Sequence, residues 1–195
     1  MRPELVVLER SAFAALQDDV LDVYAEAMDV RPEAARTRRS ILATHLERDG
    51  LAVVGAVERL PADDGPGRLV GIAYGYRGAP GQWWHDQVRA ALDEQTARTW
   101  LDGSFEVCEF HVRPAFQGTG LGRRLIAALL ELTDARTAVL TTPDADTRAR
   151  RFYRTAGWVD LVRELRFPGD PRAFAVLALP LTPGPVDAGV LESSQ

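Results

Sequence analysis

Val112-Arg113-Pro114-Ala115-Phe116-Gln117-Gly118-Thr119-Gly120-Leu121-Gly122-Arg123-Arg124-Leu125 is the stretch that decides the reading of this chain. An apolar, β-prone segment, Phe105 to Val112, runs into it, and an amphipathic helical pattern, Leu121 to Leu132, runs out of it. Strand, glycine-rich turn and helix start in this order aim several backbone N–H groups, and the positive end of a helix dipole, at one spot. Such a spot binds phosphate, which makes the stretch a candidate pyrophosphate cradle.

Composition narrows whose pyrophosphate it is. The 195 residues suit a single domain with a real core, at 46% hydrophobic and 26% charged. A net charge of −5 argues against a general nucleic-acid or anionic-membrane binder. All 23 basic residues are Arg, so a phosphate loop of the G-x-x-x-x-G-K-[ST] type is excluded. A single cysteine, Cys108, excludes an internal disulfide framework and a cysteine-based zinc cluster. His45, His85 and His111 lack metal-ligand spacing. The start, Met1-Arg2-Pro3-Glu4, has no signal pattern, and no apolar run approaches membrane-spanning length, so a cytoplasmic protein is the expectation.

The remaining chain supplies alternating strands and helices. Glu4–Glu9 reads as a strand, and Ser11 as the N-cap of a helix towards Met28. A second helix is expected from Pro32 to Arg48. Leu51–Leu60 and Arg68–Tyr76 read as a hairpin with a flexible tip at Pro61–Gly67. Gln82–Thr99 reads as one helix, Leu121 to about Arg136 as another, and Ala138–Thr142 as a buried strand. Thr147–Ala156 is a helix with Gly157 at its C-cap, and Trp158–Phe167 and Phe174–Leu179 are strands. The expected organisation is one α/β layer domain over residues 4–180, with a loose tail over 181–195.

The dinucleotide fingerprint G-x-G-x-x-G fails, because Arg123 stands where the last glycine after Gly118 and Gly120 belongs. What remains is Gln117-x-x-Gly120-x-Gly122, preceded by Val112-x-Pro114. This resembles the [QR]-x-x-G-x-[GA] hallmark of the GNAT superfamily of acetyl-CoA-dependent N-acetyltransferases. A second block, Phe152-Tyr153-Arg154-Thr155-Ala156-Gly157-Trp158, resembles the family's F-Y-x-x-x-G-[FW] segment, in the right order. The resemblance covers roughly Leu5 to Leu179 and implies a mixed, mostly antiparallel sheet of six to seven strands flanked by helices. The family often has an Asn before its last helix; Asp146 stands there instead and is left out of the site.

The resemblance implies acetyl transfer from acetyl-CoA to a primary amine by direct attack in a ternary complex, without a metal. The amides of Gln117, Gly118, Thr119, Gly120, Leu121, Gly122 and Arg123 would ring the pyrophosphate. The backbone of Phe110, His111 and Val112 would pair with the pantetheine arm. In a regular strand Glu106, Cys108, Phe110 and Val112 share one face, and Phe105, Val107, Glu109 and His111 the other. A bulge, which the family tends to have here, would change that parity. An acid in so apolar a strand needs a partner or a job. By its spacing to the loop Glu106 falls where family members place a general base, with Glu109 the second candidate and a buried ion pair with Arg the bland reading. Tyr153 matches the family's tyrosine near the cofactor sulfur and is the candidate acid. Cys108 reads as inert core rather than an acyl carrier. His85 and His111 read as structural or substrate-contacting.

The acceptor, a small-molecule or peptide amine, is expected between Tyr24–Arg38 and Gln82–Thr99, where Trp83, Trp84, His85 and Asp86 suit a cationic amine with an apolar body. A helix stapled to the core by two tryptophans is the competing reading. Arg36, Arg38 and Arg39 would favour an anionic acceptor if they were not simply a solvated face. The runner-up functions are a non-catalytic acyl-CoA-binding module on the same fold and an acyltransferase using a longer acyl-CoA. No nucleic-acid or membrane partner is expected, and a homodimer is allowed by the sequence rather than read from it.

Overall fold

A computed structural model describes residues 2–59 and 67–181; the hairpin tip and the tail from residue 182 lie outside the described residues. The strands are β1 (Glu4–Val7), β2 (Ala52–Glu58), β3 (Arg68–Arg77), β4 (Phe105–Val112), β5 (Thr137–Pro143), β6 (Val159–Leu165) and β7 (Phe174–Pro180). They form one seven-stranded sheet in the order β1-β2-β3-β4-β5-β7-β6. Every neighbouring pair is antiparallel except β4 and β5.

The helices are α1 (Arg10–Ala15), α2 (Gln17–Met28), α3 (Pro32–Arg36), α4 (Arg39–Leu46), α5 (Trp83–Ala90), α6 (Glu94–Trp100), α7 (Leu121–Leu130) and α8 (Arg148–Thr155). Three single helices of the sequence reading are thus broken pairs, and a fourth is shorter. The first breaks at Leu16, whose N–H bonds back to Ala12 and Phe13, and Glu9 rather than Ser11 occupies the N-cap. The second breaks at Thr37-Arg38. The third breaks at Asp93, whose carboxylate caps α6 by accepting from the Thr96 N–H. The Asp93-x-x-Thr96 pattern was a readable stop signal inside the expected helix. The helix after the glycine-rich turn stops at Leu130, short of Arg136.

Helices cover both faces of the sheet. Leu121, Leu125, Ile126 and Leu129 of α7, with Tyr153 of α8 and Trp158, bury one face against Val54, Val70, Ala73, Val107 and Leu140. On the other face α1, α2 and α4 pack Phe13, Val20, Val23, Leu42 and Leu46 on Val53, Ile72 and Tyr74. Val88, Ala97 and Leu101 of α5 and α6 pack beside them on Val139, Val176 and Ala178. Burying such side chains contributes roughly 1.5–3 kcal/mol each before entropy is charged against it. No helix among the described residues is long and apolar enough to cross a membrane.

Two irregularities of β4 position the site. Its pairing with β3 runs from Glu106↔Tyr76 and Val107↔Gly75 directly to Glu109↔Tyr74, so Cys108 is an extra, bulged residue. The bulge reverses the parity expected of a regular strand. Glu106, Glu109 and His111 lie opposite Tyr76, Tyr74 and Ile72, on the face covered by α2 and α4. The two acids therefore share a face. Beside it, the parallel pairing of β4 with β5 consists of Phe105↔Ala138 and Glu106↔Val139 only. Beyond that point the strands part, and the backbone from Phe110 to Val112 borders an open cleft.

Candidate active site

The cleft, of about 460 Å³, is bordered by Phe110, His111 and Val112 of β4, by the glycine-rich turn, by the start of α8, and by Ala27 and Met28 at the end of α2. Its volume lies in the range of small-ligand sites. At the turn, Gly118 and Gly120 take φ of +80° and +84°, values that favour glycine. Among the described residues the N–H groups of Gly118 through Arg123 donate to no backbone carbonyl. Gln117 fixes the turn with its side chain, donating from Nε2 to the Val112 carbonyl at 2.8 Å and accepting from Arg148 at 3.0 Å. Thr119 ties the turn to the Phe116 carbonyl at 2.7 Å. Gln117, Gly118, Gly120, Gly122 and Arg123 border the cleft; Thr119 and Leu121 do not, and the Leu121 side chain is core. The free amides at the N-terminus of α7 suit the two negative phosphates of a coenzyme A.

Arg148, at the first turn of α8, is a cleft residue that sequence reading missed. Its guanidinium reaches the Gln117 side chain and passes close to Gly118, so it flanks the same cradle. No local pattern marks it among the many Arg; only the approach of α8 to the turn does. Asp146 instead pairs with exposed Arg151.

Tyr153 stands on α8 with its ring against Phe110, Phe152 and Trp158 at 5.4–6.2 Å. It is 7% exposed, borders the cleft, and its hydroxyl makes no hydrogen bond among the described residues. Burial, and then the charge of Glu109, push its phenol up, so it carries its proton at neutral pH. A buried ion cluster locks the helix that presents it. Arg150, 3% exposed, bonds Asp144 and Asp160 at 2.8 Å, and Asp144 also accepts from Arg163 and the Glu164 N–H.

Glu106 borders neither this cleft nor the cavity described next. It is 6% exposed, its Oε1 accepts from the Tyr76 hydroxyl at 3.4 Å, and its Oε2 has no partner. Burial pushes its carboxyl up to about 8. Burial likewise pushes the Cys108 thiol up, away from the reactive thiolate. Glu109 is differently placed. It forms an ion pair with Arg38, at the α3–α4 break, and its Oε2 lies 2.5 Å from His111 Nε2. Arg38 in turn lies over the Tyr24 ring, 4.8 Å from its centroid. These groups border a small cavity between α2, α4 and the sheet, with Val20, Leu42 and Tyr74. It has room for about one water.

Half of the expected acceptor region is brought to the site and half is not. Tyr24 and Arg38 border the small cavity, and Ala27 and Met28 the cleft. Trp83, Trp84, His85 and Asp86 border neither cavity. Trp84 donates to Thr141 at 2.7 Å, Trp83 packs on Phe167, and His85 is 1% exposed. Val88 of α5 is spent on β5 and β7 and Trp84 staples the helix to β5, while Trp83, 56% exposed, rests on Phe167.

Residues 17–158 match the model of the acetyltransferase (GNAT) family, and the chain belongs to that family. It is 36% identical over 188 residues to the GCN5-like protein acetyltransferase Rv2170 of Mycobacterium tuberculosis, an alignment covering 84% of this chain and 91% of that protein. Among solved structures it resembles a GNAT-family protein from Desulfovibrio desulfuricans, with a TM-score of 0.62 and 22% identity, covering 91% of this chain and 99% of that one. It also resembles yncA from Salmonella typhimurium, solved with its cofactor acetyl-CoA, with a TM-score of 0.58 and 14% identity over 97% of this chain and 100% of the other. The protein is thus an acyltransferase of the acetyltransferase kind, built on a seven-stranded mixed sheet, with a fold similar to that of these structures.

Proposed function

We propose that residues 4–180 form one N-acetyltransferase domain that moves an acetyl group from acetyl-CoA to a primary amine by direct attack in a ternary complex. The observation that carries this reading is the run of backbone amides from Gly118 to Arg123 without backbone acceptors, beside a cleft bordered by Tyr153. The amides and Arg148 would hold the pyrophosphate, and the splayed edge of β4 from Phe110 to Val112 would pair with the pantetheine arm. That acetyl-CoA occupies the related fold of yncA supports the choice of cofactor. The name of the mycobacterial relative, a protein acetyltransferase, supports peptide or protein amines among the acceptors.

Tyr153 would give its proton to the departing sulfur. Its raised phenol keeps it a donor, and its hydroxyl is free to turn to the cleft. Glu106 sits one layer deeper, so proton removal by it would need a water between it and the amine.

The test is a panel of spermidine, phenylethylamine, a peptide with a free N-terminus and an N-blocked peptide with an internal Lys, read by released coenzyme A thiol. Acetyl-CoA at a hundredfold excess over its Kd should add about 2.7 kcal/mol of stability, which is about 5–11 °C in Tm. No shift at millimolar acetyl-CoA would refute the cradle. Tyr153→Phe should lower kcat by roughly a hundredfold or more while that shift is retained. A fully active variant would remove Tyr153 as the acid.

A further inference from the structure

A primary amine reaches the enzyme protonated, and acetyl transfer requires that it arrive at the thioester with a free lone pair. Alone among the described lining residues, His111 borders both the small cavity beside Glu109 and the large cleft. Its Nε2 meets Glu109 Oε2 at 2.5 Å. An ionised carboxylate only accepts, so the neutral ring carries its proton on Nε2 and leaves the Nδ1 lone pair open. Nδ1 has no partner among the described residues and is not among the sealed, unpartnered atoms, unlike Glu106 Oε2. A base and its orienting carboxylate thus meet at the one residue that borders both cavities, the logic by which a carboxylate sets a catalytic imidazole.

From this geometry we infer that His111 is the proton acceptor for the incoming amine, and that Glu109 is the positioning residue that holds its ring. The inference rests on the acetyl-transfer reading and deepens it. Burial opposes the charge on Glu109, but the hydrogen bond from the His111 ring and the neighbouring Arg38 guanidinium favour it, and the carboxyl is held below its ordinary value. Glu109 therefore remains ionised through neutral pH. The ring is framed by Tyr24 of α2, edge-on at 5.1 Å, by Arg38 at the head of α4, and by Tyr74 of β3, which His45 backs at 3.1 Å. On the cleft side stand Tyr153, Arg123 and Arg148.

The step balances without another reagent. The ammonium gives one proton to His111 Nδ1. The freed nitrogen lone pair forms the C–N bond at the thioester carbonyl carbon, and the carbonyl π pair moves to oxygen. That pair re-forms the carbonyl as the C–S bond breaks. The sulfur takes the Tyr153 proton, the nitrogen's second proton returns to the tyrosinate through water, and His111 releases its proton to solvent.

Two arms test this. The first needs no acceptor: ring ¹⁵N spectra of the full chain, whose three histidines are separable by substitution. The neutral His111 should carry its proton on Nε2, and a proton on Nδ1 overturns the inference. The second uses acetyl-CoA and whichever panel amine the wild-type protein turns over. His111→Gln should lower kcat/KM by about a hundredfold or more, with the acetyl-CoA thermal shift kept. Glu109→Gln removes an anion from beside the ring, so the acidic limb of the kcat/KM profile should move to lower pH. Arg38→Met removes a cation, so that limb should move to higher pH. An unchanged rate in His111→Gln, or a limb that neither substitution moves, overturns the inference. If no panel amine is turned over, the acetyl-transfer reading fails at its own test while the ring spectra still decide the His111–Glu109 geometry.

Discussion

Gly75→Ala is expected to cost about 3 kcal/mol or more, a large part of the roughly 5–15 kcal/mol that holds a domain folded. Gly75 lies opposite Val107, next to the bulge in β4. A Cβ there would come within 2.2 Å of the Glu106 carbonyl oxygen and 2.6 Å of the Phe105 ring. The first is backbone in the middle of a paired strand and cannot rotate away. The Phe105 ring is 1% exposed and packed in the core. Relief must come from moving β3 away from β4, which breaks the pairing on which the position of Glu106, Glu109 and His111 depends. At roughly 2–4 °C per kcal/mol for a chain of this size, the thermal midpoint should fall by about 6–12 °C. Circular dichroism melting of the purified variant measures it, and an unchanged midpoint would show that the two strands can part at that point at little cost.

Gly120→Glu should abolish the stabilisation that acetyl-CoA confers. Gly120 is the left-handed N-cap of α7, and a Cβ built on it meets nothing within 4 Å because it points to open space beside the cleft. A glutamate there places a carboxylate at the amides proposed to hold two phosphates, where the like charges repel. Gly120→Ala separates the causes. It carries the same φ of +84°, with a strain of about 1–3 kcal/mol, but neither length nor charge. The alanine variant should melt lower than wild type yet keep its acetyl-CoA shift; the glutamate variant should lose the shift of about 5–11 °C expected at hundredfold excess. A glutamate variant with the full shift would place the pyrophosphate elsewhere.

Much of this was legible because it is local. Gln117-x-x-Gly120-x-Gly122 after an apolar strand specifies a turn with positive φ and a helix start, and both occur there. The block around Tyr153 and Gly157 specifies a helix and its glycine C-cap, and Gly157 takes φ +89°. The alternation of strands and helices yields the mixed sheet. Helix boundaries were less legible. Arg38 sits inside a helical pattern, yet the chain breaks there and its guanidinium reaches Glu109, 71 residues away. Trp83 and Trp84 read equally as ligand platform or staple, and only the sheet beneath α5 made Trp84 a staple, while Trp83 stays half exposed on Phe167.

The sequence by itself determined the glycine-rich turn and its helix start, the helix that carries Tyr153 and the family's sheet, because each follows from neighbouring residues and their backbone preferences. The tertiary structure decided which side chains meet. One bulged residue, Cys108, turns Glu106 onto the same face as Glu109 and His111, and the parting of β4 from β5 opens the cleft that His111 borders. A bulge depends on the register between two strands separated by a long stretch of chain, and a strand's period of two makes every face assignment beyond it reverse. The acid that spacing singled out is therefore buried against Tyr76, while Glu109 and His111, which alternation already put on one face, meet Arg38 and Tyr24 only in the folded chain.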